Sequence, residues 1–495
     1  MPIMDEPTSL DPQIADSNSE KLVAANCYEG LVRIMADGTI GKGVATDWNI
    51  SDDGLTYTFK LRNNSHWAMF SGHKAVLGEN YEDTFDITVK ADDFKFGIER
   101  TLSEQTGSAD APLFSAVKSI STPDDYTIVF NLSYADDNFL YALTNPGAMP
   151  CDEEFFNLTN GKYGLDAKYL LCNGPFHVSK WTEKTSVKLV KNNEYNGESS
   201  VSPSSVTFYI NNNDSEVADK MSSVTYDVAF LSSSQFSSIE NKKDLNSVAV
   251  QNVTYSFIFN QNDNNYRNKN MRLAFCRSCD TSSLFDSQND ISKADGIVPP
   301  SCKIGGEDYR NGNAAELLSY DETLAKKNFN DALLELGSSS VETTILCTEQ
   351  YEPFVKQMVQ KLQKTLGVKF VSTVKVVSES DLEAAVNDGN YSVAFYPFKA
   401  KSSFAGEIIE GFDQNNIFGY ESDVLSQKIR NIKNNSGSLE GERSAVADAE
   451  NYLVSEAVIM PVFYENSYFV TSKKTSGIYF YSSADNVCFI NAKKS

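Results

Sequence analysis

Hydrophobic and polar positions alternate over Thr56 to Leu61, with Tyr57, Phe59 and Leu61 on one side and Thr56, Thr58 and Lys60 on the other. A period of two predicts a half-buried strand, and Ser51-Asp52-Asp53-Gly54 before it is a turn signal. The pattern returns after Pro123-Asp124-Asp125, with Ile128, Phe130 and Leu132 on one face. Between these strands, residues 91–102 read as a short helix with Phe94 and Ile98 one turn apart. Residues 70–90 hold Ser71-Gly72, Gly78-Glu79-Asn80 and the acidic Glu82, Asp83 and Asp86. They read as a solvated loop insertion, because the carboxylate spacing matches no known calcium loop.

From about residue 320 the period lengthens. Leu324, Ala325, Phe329, Ala332, Leu333 and Leu336 follow helical spacing, and Gly337 is placed to end that helix. A strand is predicted over 343–347. Phe354, Val355, Met358, Val359, Leu362 and Leu366 then predict a second amphipathic helix, stopped by Gly367 and followed by a strand over 368–377. Ser380-Asp381-Leu382-Glu383 reads as a capping box opening a short helix. Residues 391–395 read as a strand, 439–457 as a long helix and 461–470 as a last strand. The β-α-β-α-β order predicts an α/β domain with a largely parallel sheet, behind an earlier β-rich segment.

The chain's 495 residues exceed one ordinary core; at about 100–200 residues per domain they suggest two or three. With 43 Lys+Arg against 67 Asp+Glu the formal charge is −24. That balance argues against nucleic-acid binding and against docking of the protein body on an anionic membrane. No uncharged apolar run reaches the ~20 residues of a membrane span. Met1-Pro2-Ile3-Met4-Asp5 has neither a basic start nor an apolar core, so the chain reads as cytosolic or as one whose leader has been removed.

The 8 cysteines are spread unlike a dense disulfide scaffold. For Cys276-Arg277-Ser278-Cys279 the favoured reading is two small apolar side chains on one helical face. A disulfide and a metal or redox role are the alternatives. Neither GxGxxG, a P-loop, GxSxG nor HExxH occurs, and His66, His73 and His177 lack the neighbours a triad needs. Nothing positive points to an enzyme.

Several motifs follow one another in a fixed order. They begin with Glu6-Pro7-Thr8-Ser9-Leu10-Asp11-Pro12, Tyr28-Glu29-Gly30-Leu31-Val32 and Ala45-Thr46-Asp47-Trp48, the last continuing into the Ser51–Arg62 turn and strand. His66-Trp67, Lys90-Ala91-Asp92-Asp93-Phe94, Asn173-Gly174-Pro175-Phe176, Trp181 and Tyr195 come next. Phe257-Ile258-Phe259-Asn260, Met271-Arg272-Leu273-Ala274 and Gly296-Ile297-Val298-Pro299-Pro300 complete the series. Together they resemble the extracellular solute-binding proteins of ABC importers, family 5, of the oligopeptide-binding type.

The resemblance implies a mixed α/β (α+β) fold of the periplasmic-binding-protein-like type II, with two lobes and an extra β-rich domain, the cluster C arrangement. It places 1–41, 165–262 and 471–495 in lobe 1, 42–164 in the β-rich domain II attached to it, and 263–470 in lobe 2. It implies a monomeric, non-enzymatic, extracytoplasmic protein, either periplasmic or a surface lipoprotein. Such a protein captures a peptide or another small solute between its lobes by hinge closure and delivers it to ABC permease subunits. It needs no cofactor, metal or nucleic acid. A ligand sensor of the same fold is a second class, and a hydrolase a third.

For the site, the resemblance implies strand-like backbone contacts from Glu29, Gly30 and Leu31 and from Phe398, Lys399, Ala400, Lys401 and Ser402. Asn260 and Asn416 contribute side chains, and Phe398 packs on the ligand. Turn capping competes with ligand contact for Asn260, and Trp48 and Trp181 read as core. Peptide-binding members commonly carry an Asp where this chain has Lys401. A cation there repels a free peptide ammonium. Either Glu407 or Glu410 substitutes for that Asp, or the ligand is blocked at its amino end, acidic, internally held or not a peptide.

Overall fold

The computed structural model describes all residues except 36–38, 137, 198–199, 282–290, 400–403, 414–415, 436–437 and 481–486. The chain forms two compact units, Met1–Ala249 with Tyr468–Ser495, and Val250–Ser467. Two long strands, Leu245–Phe259 and Ile459–Ser472, each pass from one unit to the other.

The first unit holds two four-stranded sheets. In one, Pro2–Ile3 runs parallel to Ser205–Ile210, which pairs antiparallel with Ser186–Lys191 and, through it, with Phe176–Thr182. Phe176, Val178, Val187, Leu189, Val206 and Phe208 are the buried alternate positions. The other sheet is an antiparallel meander of Ala45–Ile50, Thr56–Leu61, Thr127–Leu132 and Val117–Asp124. Its expected inward residues, Tyr57, Phe59, Leu61, Ile128, Phe130 and Leu132, are all buried. Gly54 has φ +69° in the turn joining the first two strands of this sheet, a conformation that favours glycine. The helix Ala91–Leu102 buries Phe94 and Ile98 as its spacing predicts.

Residues 70–90 are more ordered than a solvated loop. They form the helical turns Ser71–His73, Lys74–Leu77 and Tyr81–Thr84. His73, Tyr81 and Val89 are buried and anchor the segment to the core. His73 Nε2 lies 3.1 Å from Leu170 O, and burial lowers its pKa to about 4.

The second unit is built on strands ordered Leu245–Phe259, Val393–Lys399, Val341–Thr348 and Phe370–Val377. Both neighbours of Val341–Thr348 are parallel to it, whereas the first two strands pair antiparallel. The sheet is therefore mixed: βα units account for the parallel part, and the long incoming strand adds at the other side in the opposite sense.

Alternate residues feed two separate cores. Phe257, Phe259, Ile345, Cys347, Val393 and Phe395 join one, while Ile258, Leu346 and Ala394 join the other. The first is covered by the helices Lys269–Arg277, Glu322–Leu336 and Glu352–Leu366. The second is covered by Glu379–Asn387, Asp423–Asn434 and Leu439–Ser455. Apolar runs without polar alternation follow from burial on both faces.

Two boundaries differ from expectation. The short helix is capped by Ser378, not by Ser380: Ser378 has extended backbone and its Oγ accepts from Asp381 N at 3.1 Å. The strand expected over 391–395 runs Val393–Lys399, because the Gly389 and Tyr391 carbonyls accept from the Asn260 amide and pairing starts at Val393 opposite Phe259. Gly337 ends its helix with φ +63°, as expected. Cys276 lies in the helix Lys269–Arg277 and Cys279 just beyond it; both are buried thiols. Among the described residues, no helix is long and apolar enough to cross a membrane.

Candidate ligand-binding site

The helix Asn18–Cys27 is started by a Ser17–Glu20 capping box and ends at Tyr28, where the backbone becomes extended. The next residue is gripped at both of its backbone groups. Glu29 N–H donates to Asn173 Oδ1 (3.0 Å), and Asn173 Nδ2 donates to Glu29 O (2.8 Å). Gly174 N–H donates to Cys27 O at 2.9 Å. A Cβ on Gly174 would stand 2.6 Å from Tyr28 N, so only glycine lets these two backbones touch. Val44 N–H donates to Gly30 O, and Gly43 and Ala45 N–H donate to Leu31 O. The N–H groups of Gly30 and Leu31 have no acceptor among the described residues.

The Glu29 side chain is only 4% exposed and accepts from Arg62 and from Tyr195 OH (3.0 Å). Arg62 also donates to Gly43 O at 2.6 Å. Burial of the charged pair is compensated by this full set of hydrogen bonds. The Tyr195 hydroxyl is pushed up by burial and then by the Glu29 charge, so it stays a neutral donor.

Glu29, Gly30 and Tyr195 line a cleft of about 250 Å³ inside the first unit. Its apolar wall includes Met35, Met149, Val487 and Ile490, and Arg33 and Tyr479 add polar groups. Such a mixture, mostly apolar with a few fixed polar groups, suits an organic ligand segment.

The other expected residues belong to the second unit. Asn260 is buried; its Nδ2 donates to Gly389 O (2.9 Å) and Tyr391 O (2.7 Å), and its Oδ1 accepts from Asn262 N (2.9 Å). Asn416 Nδ2 donates to Phe412 O, Asp413 O and Tyr420 O, and its Oδ1 accepts from Phe418 and Tyr420 N–H. Both amides organise turns. Phe398 is buried among Phe412, Phe418 and Tyr396 at ring-centroid distances of 5.6–5.7 Å. Lys399 is exposed at the end of its strand, opposite Val253. Ala400, Lys401 and Ser402 lie outside the described residues.

Sequence reasoning brought Glu29 and Gly30 to the cleft but assigned no site role to Arg62, Asn173 or Tyr195. All three stand within or beside the quoted motifs, and no periodic signal marks them: Arg62, for one, simply continues the alternation of Thr56–Leu61.

Comparison with known proteins agrees with this architecture. The profile of the bacterial extracellular solute-binding proteins, family 5 (middle region), matches residues 39–418. A dipeptide-binding protein, DppE of Bacillus subtilis, is 24% identical over 96% of this chain and 88% of its own. OppA of Listeria monocytogenes bound to peptide superimposes with TM-score 0.77 at 21% identity, covering 100% of this chain and 98% of that one. AgaA of A. tumefaciens R10, in complex with agropinic acid, gives TM-score 0.75 at 17% identity over 99% and 97% of the two chains. The fold is thus the mixed α/β fold of the large, cluster C solute-binding structures over the full length.

Proposed function

Because the chain belongs to the bacterial extracellular solute-binding proteins of family 5, a family of transporter binding proteins and not of enzymes, we propose that it captures short peptides for an ABC importer and delivers them to the membrane permease. The observation that carries this reading is the Glu29–Leu31 backbone. Its carbonyls and the Glu29 N–H are committed within the protein, while the Gly30 and Leu31 N–H groups have no acceptor among the described residues. Extended peptide recognition uses donors of this kind, which accept any sequence because they address the ligand's main-chain carbonyls. The apolar cleft wall then meets the variable side chains without demanding one of them.

In this reading Gly30 offers its N–H to the ligand, while Glu29, whose N–H and C=O are both bonded to Asn173, and the fully buried Leu31 hold it in place. Phe398, Lys399, Ala400, Lys401 and Ser402 are ligand-contacting residues of the second unit, whereas the Asn260 and Asn416 amides are spent on turns of their own. The names of the relatives, a dipeptide-binding protein and a peptide-bound OppA, support a peptide ligand.

A second reading rests on Lys399 and Lys401, and on the agropinic acid bound by AgaA. Here the ligand is amino-terminally blocked, or an anionic solute that is not a peptide. Native mass spectrometry of the purified protein, followed by calorimetry with free and N-acetylated peptides, separates the two. Micromolar binding, about −8 kcal/mol, of short peptides and no binding of opine-type acids supports the first reading. A strong preference for free amino termini that survives Lys401→Ala removes the second. Binding of small organic acids alone overturns the first.

A further inference from the structure

Every cysteine in the described structure is a free thiol, yet the family is extracellular, where thiols meet oxidising conditions. Two of the thiols occupy one place. Cys27 is the last residue of the helix Asn18–Cys27, and Cys172 immediately precedes the Asn173 that grips Glu29. Their segments are clamped by the Gly174 N–H to Cys27 O bond (2.9 Å) and by the two Asn173–Glu29 bonds. The missing Cβ of Gly174 brings the backbones into contact. Cys27 is 0% and Cys172 2% exposed, both in the same core cluster.

From this juxtaposition we infer that Cys27 and Cys172 form a disulfide in the exported protein, stapling the helix that leads into the ligand cleft to the segment that holds Glu29. Burial, and then the neighbouring Cys172 thiol, push the Cys27 thiol well up. In the folded state such a thiol is protonated, shielded and slow to react. The bond therefore forms while the chain is still open. The thiolate of one cysteine attacks an external disulfide such as oxidised glutathione, giving a mixed disulfide and one glutathione thiol. The second cysteine's thiolate then displaces the other glutathione, so two cysteine thiols are oxidised and one disulfide is reduced to two thiols. The contact of Cys279 is of a different kind: its Sγ lies 3.2 Å from Met358 Sδ, which cannot form a disulfide.

The test is refolding of the reduced full chain in a glutathione redox buffer, with a parallel sample kept in dithiothreitol. Free thiols are alkylated under denaturing conditions, and non-reducing digests are mapped by mass spectrometry. The expected result is a Cys27–Cys172 linked peptide pair, two hydrogens lighter than the separate peptides. It persists in Cys276→Ser/Cys279→Ser. The oxidised chain is expected to melt about 5 °C above the reduced one, and this gap disappears in Cys172→Ser. Full alkylation of Cys27 and Cys172 in the refolded oxidised sample overturns the inference, and so does pairing of either with a different cysteine. If Cys172→Ser does not fold, the map of the unmutated chain decides alone. The result is independent of which solute is bound.

Discussion

Glu29 and Asn416 are both polar residues held by several hydrogen bonds, but over very different spans of chain. The partners of Glu29 are Arg62, Asn173 and Tyr195, at separations of 33, 144 and 166 residues. Those of Asn416 lie 2 to 4 residues away. The first arrangement needs the folded unit, and it fixes a backbone whose next two N–H groups are left over. The second closes on itself and would hold in a local turn. A residue whose bonding capacity is consumed nearby shapes a loop; one whose partners converge from afar can hold a surface for something else.

The largest expected effect comes from Glu29→Ala. It leaves the mostly buried Arg62 without its carboxylate, and breaking such a pair by removing one partner costs about 3–4 kcal/mol. Denaturant unfolding should show that loss. Calorimetry should show a matching fall in ligand affinity if the pair also holds the cleft wall; unchanged affinity would confine Glu29 to stability.

Asn173→Ala comes next. It strips partners from both buried backbone groups of Glu29, for about 2–3 kcal/mol. Asn416→Ala, at a half-buried turn that water can reach, should cost about 1–2 kcal/mol. Hydrogen exchange distinguishes the pair: protection should fall around residues 27–31 in the first variant and only around 412–420 in the second. Spread of the second effect beyond its own turn would end the contrast drawn above.

Acid gives the smallest and most selective contrast. His73, in the first unit, titrates near pH 4 when folded and near 6.5 when unfolded. The unfolded state therefore binds the extra proton, and stability is lost as pH falls from 6.5 towards 4. At pH 5.5 this amounts to about 1 kcal/mol, a loss His73→Gln should not suffer. Glu465, in the second unit, has the opposite sign. Burial raises its folded pKa, more than the Tyr351 hydrogen bond lowers it. Its contribution is present below the unfolded value and fades as pH rises through the folded one. Denaturation midpoints of His73→Gln and Glu465→Gln against the unmutated chain, measured from pH 7 to 5, should diverge in opposite directions.

The strands were legible because their information is local. Alternation at Tyr57, Phe59 and Leu61 reports a face directly, and Gly337 reports a helix end. The mixed sheet was not, since the order of elements says nothing about a strand arriving from the other unit in the opposite sense. Ser378 and Ser380 both offer capping chemistry two residues apart, and only backbone geometry chooses between them. In the site, Glu29 and Gly30 stood in a recognisable motif. Arg62 and Tyr195 could not be tied to Glu29, because pairing across the chain leaves no periodic trace. The short helical turns of 70–90 were masked by their own acidic residues, while His73, Tyr81 and Val89 did the anchoring.

The central strands of the second unit sort their residues into two cores by odd and even position, with Ile258, Leu346 and Ala394 on one side and their immediate neighbours on the other. That arrangement makes parity a hard constraint on length. Deleting one residue within any of these strands sends the side chains beyond the deletion to the opposite core, with little change in hydrophobic content. Deleting two restores every side chain to its own face. Length variation in this unit therefore belongs in its loops, and where a strand must change it changes by pairs of residues.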